Sequence, residues 1–277
     1  MTDTDASAPP RAALPRAALV TGAGRRIGAA IAETLAADGW RVAVHYNGSA
    51  DAAAQTVAAI AAAGGTAAAV QGDLADPATP DRLVAAAAAA VGPLSCLVNN
   101  ASLFAPDAVG DAASPVTAAG FDRHMAVNLR APLLLAQAFA ARLDPAIPRG
   151  VVVNLLDQKL ANPNPDFASY TLSKAGLAAA TVLLAQALAP RVRVVGVAPG
   201  LTLPWEETAS DSRRAERDFT AVHDATPLAR GSTPRDIAGA VRYLVGADAV
   251  TGTVLYVDGG QHLAPSAHDV MFEPEPK

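Results

Sequence analysis

A single cysteine, Cys96, stands in 277 residues, which excludes an intrachain disulfide and a cysteine-built zinc cluster. The five histidines show no HExxH or other ligand spacing, so a metal-free site is expected. Charge is also scarce. Charged residues make up 17% of the chain against 51% hydrophobic ones, which excludes a disordered polymer. The net charge of −5 has the wrong sign for a nucleic-acid surface. Segment 1–15 is acidic, then Ala/Pro-rich, and lacks the basic start and apolar run of a signal peptide. The longest apolar stretch, Ala175–Pro190, is bracketed by Lys174 and Arg191 and interrupted by Gln186. It falls short of the ~20 residues that span a bilayer. These absences lead to an expectation of a cytoplasmic protein that binds neither membrane nor nucleic acid. The length suits one domain able to bury a sizeable core.

What is present is alternation. Ala17–Thr21, Arg41–Tyr46, Thr66–Gln71, Leu94–Asn99, Val151–Leu156, Val192–Val197 and Thr253–Val257 read as strands. Between them lie helical patterns: Ile27, Ile31 and Leu35, then Ala50–Ala63, Pro80–Val91, Phe121–Leu143, Ser169–Ala189 and Pro234–Val245. The alanine run Ala85–Ala90 fits a helix because alanine has the highest helix propensity. Strands alternating with helices predict an α/β fold, a doubly wound parallel sheet of Rossmann type with about seven strands. A single domain over 14–263 is expected, with flexible tails at 1–13 and 264–277. Ligands on such sheets bind beyond the carboxyl ends of the strands. The irregular, more charged stretch Pro204–Ala225 is placed where a substrate lid would sit.

Thr21-Gly22-Ala23-Gly24-Arg25-Arg26-Ile27-Gly28 lies between the first strand and the first helix. Small residues there let the backbone approach a pyrophosphate, and the helix N-terminus favours its charge. Gly22, Arg25, Arg26 and Ile27 are therefore candidate nucleotide contacts. The second strand ends in His45-Tyr46-Asn47-Gly48-Ser49, without the carboxylate that accepts from the ribose 2′-OH in NAD sites. With Arg25 in reach of a 2′-phosphate, NADPH is the expected cofactor, and His45, Tyr46, Asn47 and Ser49 are candidate contacts. A merely solvated Arg25 is the plain alternative.

Tyr170-Thr171-Leu172-Ser173-Lys174 follows this loop and Asn99-Asn100-Ala101 in order. Together with Gly72-Asp73-Leu74, Asn128, Pro199-Gly200 and Asp258-Gly259-Gly260, the set resembles the short-chain dehydrogenase/reductase family over about Leu14 to Leu263. The resemblance implies that Asp73, Leu74, Asn100, Ala101, Ser102, Pro199 and Gly200 line the cofactor. It implies that Lys174 holds the nicotinamide ribose and that Asn128 keeps a water in a proton relay. The residues agree on their own terms. Tyr170 and Lys174 share a helix face. A neighbouring ammonium is expected to lower the tyrosine from its ordinary ~10, which suits a general acid.

Two departures narrow the substrate. Arg26 stands where the family usually has glycine, and Asp157 replaces a serine thirteen residues before the tyrosine. Both, with His45-Tyr46 and Asn100-Ala101-Ser102-Leu103-Phe104, resemble the pteridine reductase branch, including its dihydrofolate- and dihydromonapterin-reducing members. A carboxylate accepts hydrogen bonds, and a pterin offers amino and ring N–H donors. Phe104 would give the flat ring an apolar face. Asp157, Tyr170, Lys174 and Asn128 are the expected catalytic set, and Arg26, Phe104, Asp157 and Tyr170 the substrate set. Phe104 as a core residue, and Asp157 in a chain with a carbonyl substrate, are the competing readings. An NADPH-dependent carbonyl reductase of the 3-oxoacyl-carrier type is therefore the alternative function, and a silent nucleotide-binding member of the fold a further one. Leu177, Val182, Leu183, Leu184 and Leu188 give one helix more apolar surface than a sheet can cover, and a homotetramer is expected.

Overall fold

The computed structural model describes residues 16–202 and 219–269. Seven parallel strands form one sheet in the order β3-β2-β1-β4-β5-β6-β7. They are β1 (Ala17–Val20), β2 (Arg41–Tyr46), β3 (Thr66–Gln71), β4 (Cys96–Asn99), β5 (Gly150–Leu155), β6 (Val192–Pro199) and β7 (Val254–Val257). The helices are α1 (Arg26–Ala37), α2 (Ala50–Ala62), α3 (Thr79–Val91), α4 (Ala118–Met125), α5 (Ala131–Ala141), α6 (Ala168–Leu188) and α7 (Pro234–Gly246). The chain winds outward from β1 to β3, then crosses back to lay β4 on the other side of β1. The carboxyl ends of β1 and β4 thus flank the reversal point, where a ligand crevice forms.

Burial explains the winding. Successive residues of a strand face opposite sides of the sheet. Ala17 and Leu19 join Leu97, Val152 and Val194 in a core under α3, α5 and α6. Ala18 and Val20 join Val42, Val44, Val98, Val153 and Val195 under α1, α2 and α7. Both faces are covered, so the strands read as continuous apolar runs rather than alternating ones. Ile31 and Leu35 of α1 are fully buried, each gaining about 1.5–3 kcal/mol from burial. Cys96 lies at 0% exposure within the second core, and burial pushes its thiol up to about 12.

Three local features differ from the sequence reading. The stretch expected as one helix over Phe121–Leu143 starts earlier and contains a π turn, Ala126–Arg130, between α4 and α5. Pro132 follows it. Proline has no N–H and cannot donate to the carbonyl four residues back, that of Asn128, so the helix opens there. The apolar stretch around Ala175 belongs to a 21-residue helix, long and apolar enough by composition to cross a membrane. Its buried face carries Ser169, Tyr170, Ser173, Lys174 and Thr181 and packs on the sheet. Finally, Leu177 and Leu184 of α6 are core residues, while Val182 and Leu183 are exposed with Leu172.

Candidate active site

The glycine loop folds tightly over the end of β1. Gly22 takes a left-handed φ of +63°, and a Cβ there would approach the Ala101 backbone at 3.0 Å. At Gly28 a Cβ would strike the Gly22 carbonyl oxygen at 2.3 Å and Asn100 Nδ2 at 2.5 Å. Asn100 Nδ2 donates to the carbonyls of Thr21 (2.8 Å) and Gly22 (3.1 Å). The Ala101 N–H donates to Thr21 Oγ1 at 3.0 Å. His45 braces the loop from below. The Gly22 N–H donates to His45 Nδ1 at 3.0 Å, so Nε2 carries the proton and donates to the Gly72 carbonyl at 3.0 Å. Burial holds this imidazole below its ordinary pKa, which keeps Nδ1 an acceptor.

Above the brace, α1 opens on Arg25 with no side-chain cap and no acidic residue in its first turn. Uncapped N–H groups at a helix start suit an anion. The close-packed glycines and this terminus therefore fit a dinucleotide pyrophosphate. Arg26 is exposed and adopts φ +57°, a region rare outside glycine, so the backbone is strained at this position. Arg25, Asn47, Ser49 and Ser102 are exposed around the loop. Asn47 Nδ2 reaches Asp73 Oδ1 at 3.5 Å.

A second cluster forms where β5 and α6 converge. Asp157 follows β5 and caps a short 3₁₀ turn, its Oδ1 accepting from the Lys159 N–H at 2.9 Å. The Tyr170 hydroxyl donates to Asp157 Oδ2 at 2.7 Å. Lys174 Nζ lies 5.6 Å from the Tyr170 ring centroid and donates to the Leu155 carbonyl at 2.7 Å. Phe104 stacks on Phe167 at 4.2 Å between centroids and meets the Tyr170 ring at 4.7 Å, edge to face. Phe104 is partly buried, and one of its faces is already taken by Phe167.

The electrostatics reverse one expectation. Burial and the adjacent Asp157 carboxylate hold the Tyr170 phenol well above its ordinary pKa, rather than Lys174 drawing it down. Burial lowers Lys174 itself to about 8, against the pull of Asp157. Asp157 is raised by burial, opposed by the Lys159 N–H, the Tyr170 hydroxyl and Lys174. Tyr170 thus meets Asp157 as a phenol donor rather than as a phenolate.

Asn128, in the π turn, clamps the two clusters together. Its Oδ1 accepts from the Leu103 N–H (2.7 Å), and its Nδ2 donates to the Leu103 carbonyl (2.9 Å) and Ser173 Oγ (3.0 Å). Both amide hydrogens of Asn128 are thus taken up within the protein. The side chains of His45 and Leu74 are buried, His45 with both ring nitrogens bonded within the protein, so at these two positions only the backbone remains for a cofactor contact. Gly200 closes the end of β6, where a Cβ would meet Gln261 Oε1 at 2.5 Å. Of the expected lid, residues 204–218 lie outside the described residues, as do 1–13 and 270–277 of the tails.

The sequence reading missed several supports. Asp107 accepts from the Ser169 N–H at 3.0 Å and from the Ser169 hydroxyl, capping α6 from the Phe104 loop. Ser173, inside the Tyr-Lys motif, links Asn128 to the Tyr170 carbonyl (2.6 Å). Asn99 donates to Asn154 (2.8 Å), which donates to Thr181 (2.9 Å), tying β4 and β5 to α6. The two asparagines standing late in apolar strands were the available signal.

A family model described as enoyl-(acyl carrier protein) reductase matches residues 22–262. The crystal structure of FolM alternative dihydrofolate reductase 1 from Brucella canis, complexed with NADP, is 43% identical. It covers 90% of this chain and 94% of that one, with a TM-score of 0.81. An uncharacterized oxidoreductase of Methylorubrum extorquens is 38% identical over 248 residues, 88% of this chain and 97% of the relative. The 3-oxoacyl-[acyl-carrier-protein] reductase FabG of Staphylococcus aureus is 32% identical over 254 residues, 90% of this chain and 98% of the relative. With its glycine loop, its Tyr170–Lys174 pair and its seven-stranded parallel sheet, the chain belongs to the short-chain dehydrogenase/reductase family.

Proposed function

We propose that this protein is an NADPH-dependent reductase of a pterin or dihydrofolate-type ring. The observation that carries the reading is the 2.7 Å hydrogen bond from Tyr170 to Asp157. A ketone leaves an oxyanion as it is reduced, and a carboxylate beside it raises the barrier. A ring nitrogen instead takes a proton, which Tyr170 can give, while Asp157 accepts from the amino and ring N–H groups of a pterin and orients it. The likeness to a dihydrofolate reductase at 43% identity supports the same substrate class.

Bound NADPH would supply the hydride. The glycine loop with Gly22 and Ile27, and the start of α1, would hold its pyrophosphate, with Asn100, Ala101 and Ser102 alongside. Tyr46, Asn47, Ser49, Asp73 and the backbone at Leu74 would flank the adenosine end, and Pro199, Gly200 and Lys174 the nicotinamide end. Phe104 and Arg26 would bound the substrate, with Phe167 backing the phenylalanine. The relatives that reduce 3-oxoacyl groups make carbonyl reduction the second reading.

Asp157→Ser separates the two. It is expected to lower kcat/KM for a dihydropterin at least ~10-fold, about 1.4 kcal/mol of transition-state stabilisation, and to leave or raise turnover of a β-ketoacyl thioester. Both substrates are measured on the purified variant after NADPH binding is verified. Unchanged dihydropterin turnover removes Asp157 from the mechanism.

Arg25 is assigned to the 2′-phosphate. Arg25→Ala should weaken NADPH about tenfold or more, the loss of a charge-assisted bond of ~1.5–3 kcal/mol, and barely affect NADH. Titration of both nucleotides by fluorescence checks this, and equal losses would refute it.

A homotetramer is also part of this reading. Leu172, Val182 and Leu183 on α6 and Leu133 on α5 are apolar and exposed, Leu183 at 64%. Such a patch is usual for a partner face. Light scattering at micromolar concentration should give a tetramer mass; a monomer mass would contradict it.

A further inference from the structure

The side chain of Lys159 has no part in the proton chemistry above, yet it is one of the most enclosed charges among the described residues, with 3% of it exposed. Its ammonium meets Asp269 Oδ2 at 2.7 Å, Asn164 Oδ1 at 2.6 Å and the Asp166 carbonyl at 3.0 Å. Three acceptors match its three N–H donors. It also stands 5.3 Å from the centroid of the Phe167 ring. Burying an ion costs several kcal/mol, and even a well-paired one adds little net stability. What such a pair can do is fix geometry and charge.

Here it fixes both beside Asp157. The Lys159 N–H is the donor to Asp157 Oδ1. The Phe167 ring under its ammonium is the one stacked on Phe104, and Phe167 enters α6 with a left-handed φ of +56°. Asp269 arrives from 110 residues further along the chain. Its own N–H donates to Asp166 Oδ2 at 2.7 Å, and His268 approaches the same carboxylate at 3.5 Å. Asn162 donates to the His262 carbonyl, closing the other end of the segment. Among the described residues, the charged groups that act on Asp157 are Lys174 on α6 and Asp269, and Asp269 also acts on Tyr170. Lys159 and Asp166 precede α6 and are hydrogen-bonded to Asp269, with His268 near Asp166; Asp107 holds Ser169 at the start of α6, and His262 pairs with Asp258 on the last turn. Among them Asp269 favours the protonated forms of Asp157 and Tyr170.

We propose that Lys159 and Asp269 are a positioning pair that latches residues 264–269 against the catalytic cluster, steadies the Phe104–Phe167 wall and balances the charge beside Asp157 and Tyr170. The inference rests on the assignment of Asp157 and Tyr170 as the proton-donating pair. Asp269 raises both groups, and the Lys159 ammonium, 2.7 Å from its carboxylate, offsets that charge. Neutralising Asp269 makes Asp157 and Tyr170 easier to ionise; neutralising Lys159 makes them harder to ionise.

The test uses Asp269→Asn, Lys159→Met and the double variant. The pH dependence of kcat/KM is measured at saturating NADPH on whichever substrate the unsubstituted enzyme reduces, dihydropterin or ketone. Hydrogen exchange of residues 264–269 is followed in parallel. Asp269→Asn should move the profile toward lower pH and Lys159→Met toward higher pH, with the double variant between them. Each single variant should exchange residues 264–269 faster and raise KM for the substrate more than it lowers kcat. Profiles that stay in place, or that move in the same direction in both single variants, overturn the proposal. If Lys159→Met does not fold, Asp269→Asn decides alone, by the direction of its shift. An enzyme that reduces only ketones defeats the dihydropterin reading and leaves this test intact. Dihydropterin turnover with unmoved profiles defeats the latch and leaves the substrate reading standing.

Discussion

Tyr170→Phe should reduce kcat by about 10²–10⁴-fold, the range for losing a positioned general acid, while NADPH still binds. The ring survives the change, so its edge contact with Phe104 and its place beside Lys174 are kept. What goes is one hydroxyl, 2.7 Å from Asp157. Asp157 then loses a donor that opposes its burial, and its pKa should rise further. An Asp157 that is more often protonated can donate in place of the tyrosine, but only in acid. The residual activity of the variant should therefore increase as pH falls, where the parent enzyme's proton comes from Tyr170. Single-turnover NADPH oxidation across pH, with cofactor affinity measured by fluorescence, reads both effects. A kcat within about threefold of the parent would mean that the proton reaches the substrate by another route.

The second large effect is expected at Gly28→Ala. The added methyl would lie 2.3 Å from the Gly22 carbonyl oxygen and 2.5 Å from Asn100 Nδ2. Neither neighbour is a free chain end. Gly22 is held by His45 through its N–H, and Asn100 is held by two carbonyls of the loop. Relief must open the loop from α1, and overpacking of this kind costs about 1–3 kcal/mol. Because the loop is the nucleotide cradle, the cost should fall on cofactor binding, with NADPH affinity down roughly 10–100-fold. Gly239→Ala in α7 is the control, since a Cβ there meets nothing within 4 Å. It should bind NADPH as the parent does and melt no lower. Calorimetric titration of both variants distinguishes a loop effect from a general loss of stability. Tight NADPH binding by Gly28→Ala would show that the loop tolerates a wider approach than its packing suggests.

The sheet was legible because its central strands β1, β4, β5 and β6 are buried on both faces and announce themselves as apolar runs closed by small or polar residues. The placement of Asp157 was legible for the same reason, since it follows such a run directly. Other features depended on contacts far apart in the chain. Nothing near Lys159 indicates Asp269, and nothing near Ser169 indicates Asp107, 62 residues before it. The π turn was hidden because its neighbours are good helix formers; only Pro132, read as a missing donor to Asn128, marks it. The sign of the Tyr170 shift was missed through proximity. Lys174 is near in sequence and was taken as dominant, whereas burial and the directly bonded carboxylate outweigh it. The same distance effect divided the leucines of α6, where only packing tells Leu177 and Leu184 from Leu183.

The state of Cys96 has a practical consequence. Thiol chemistry requires an accessible thiolate, and this sulfur is sealed in the sheet with its pKa at about 12. Since it is the chain's sole cysteine, the native protein should be silent toward maleimides and disulfide reagents. A cysteine engineered anywhere on the surface would then be the one reactive handle. Fluorophores or spin labels placed within 264–269 could follow that segment during turnover without any background to subtract and without first removing a native thiol from the core.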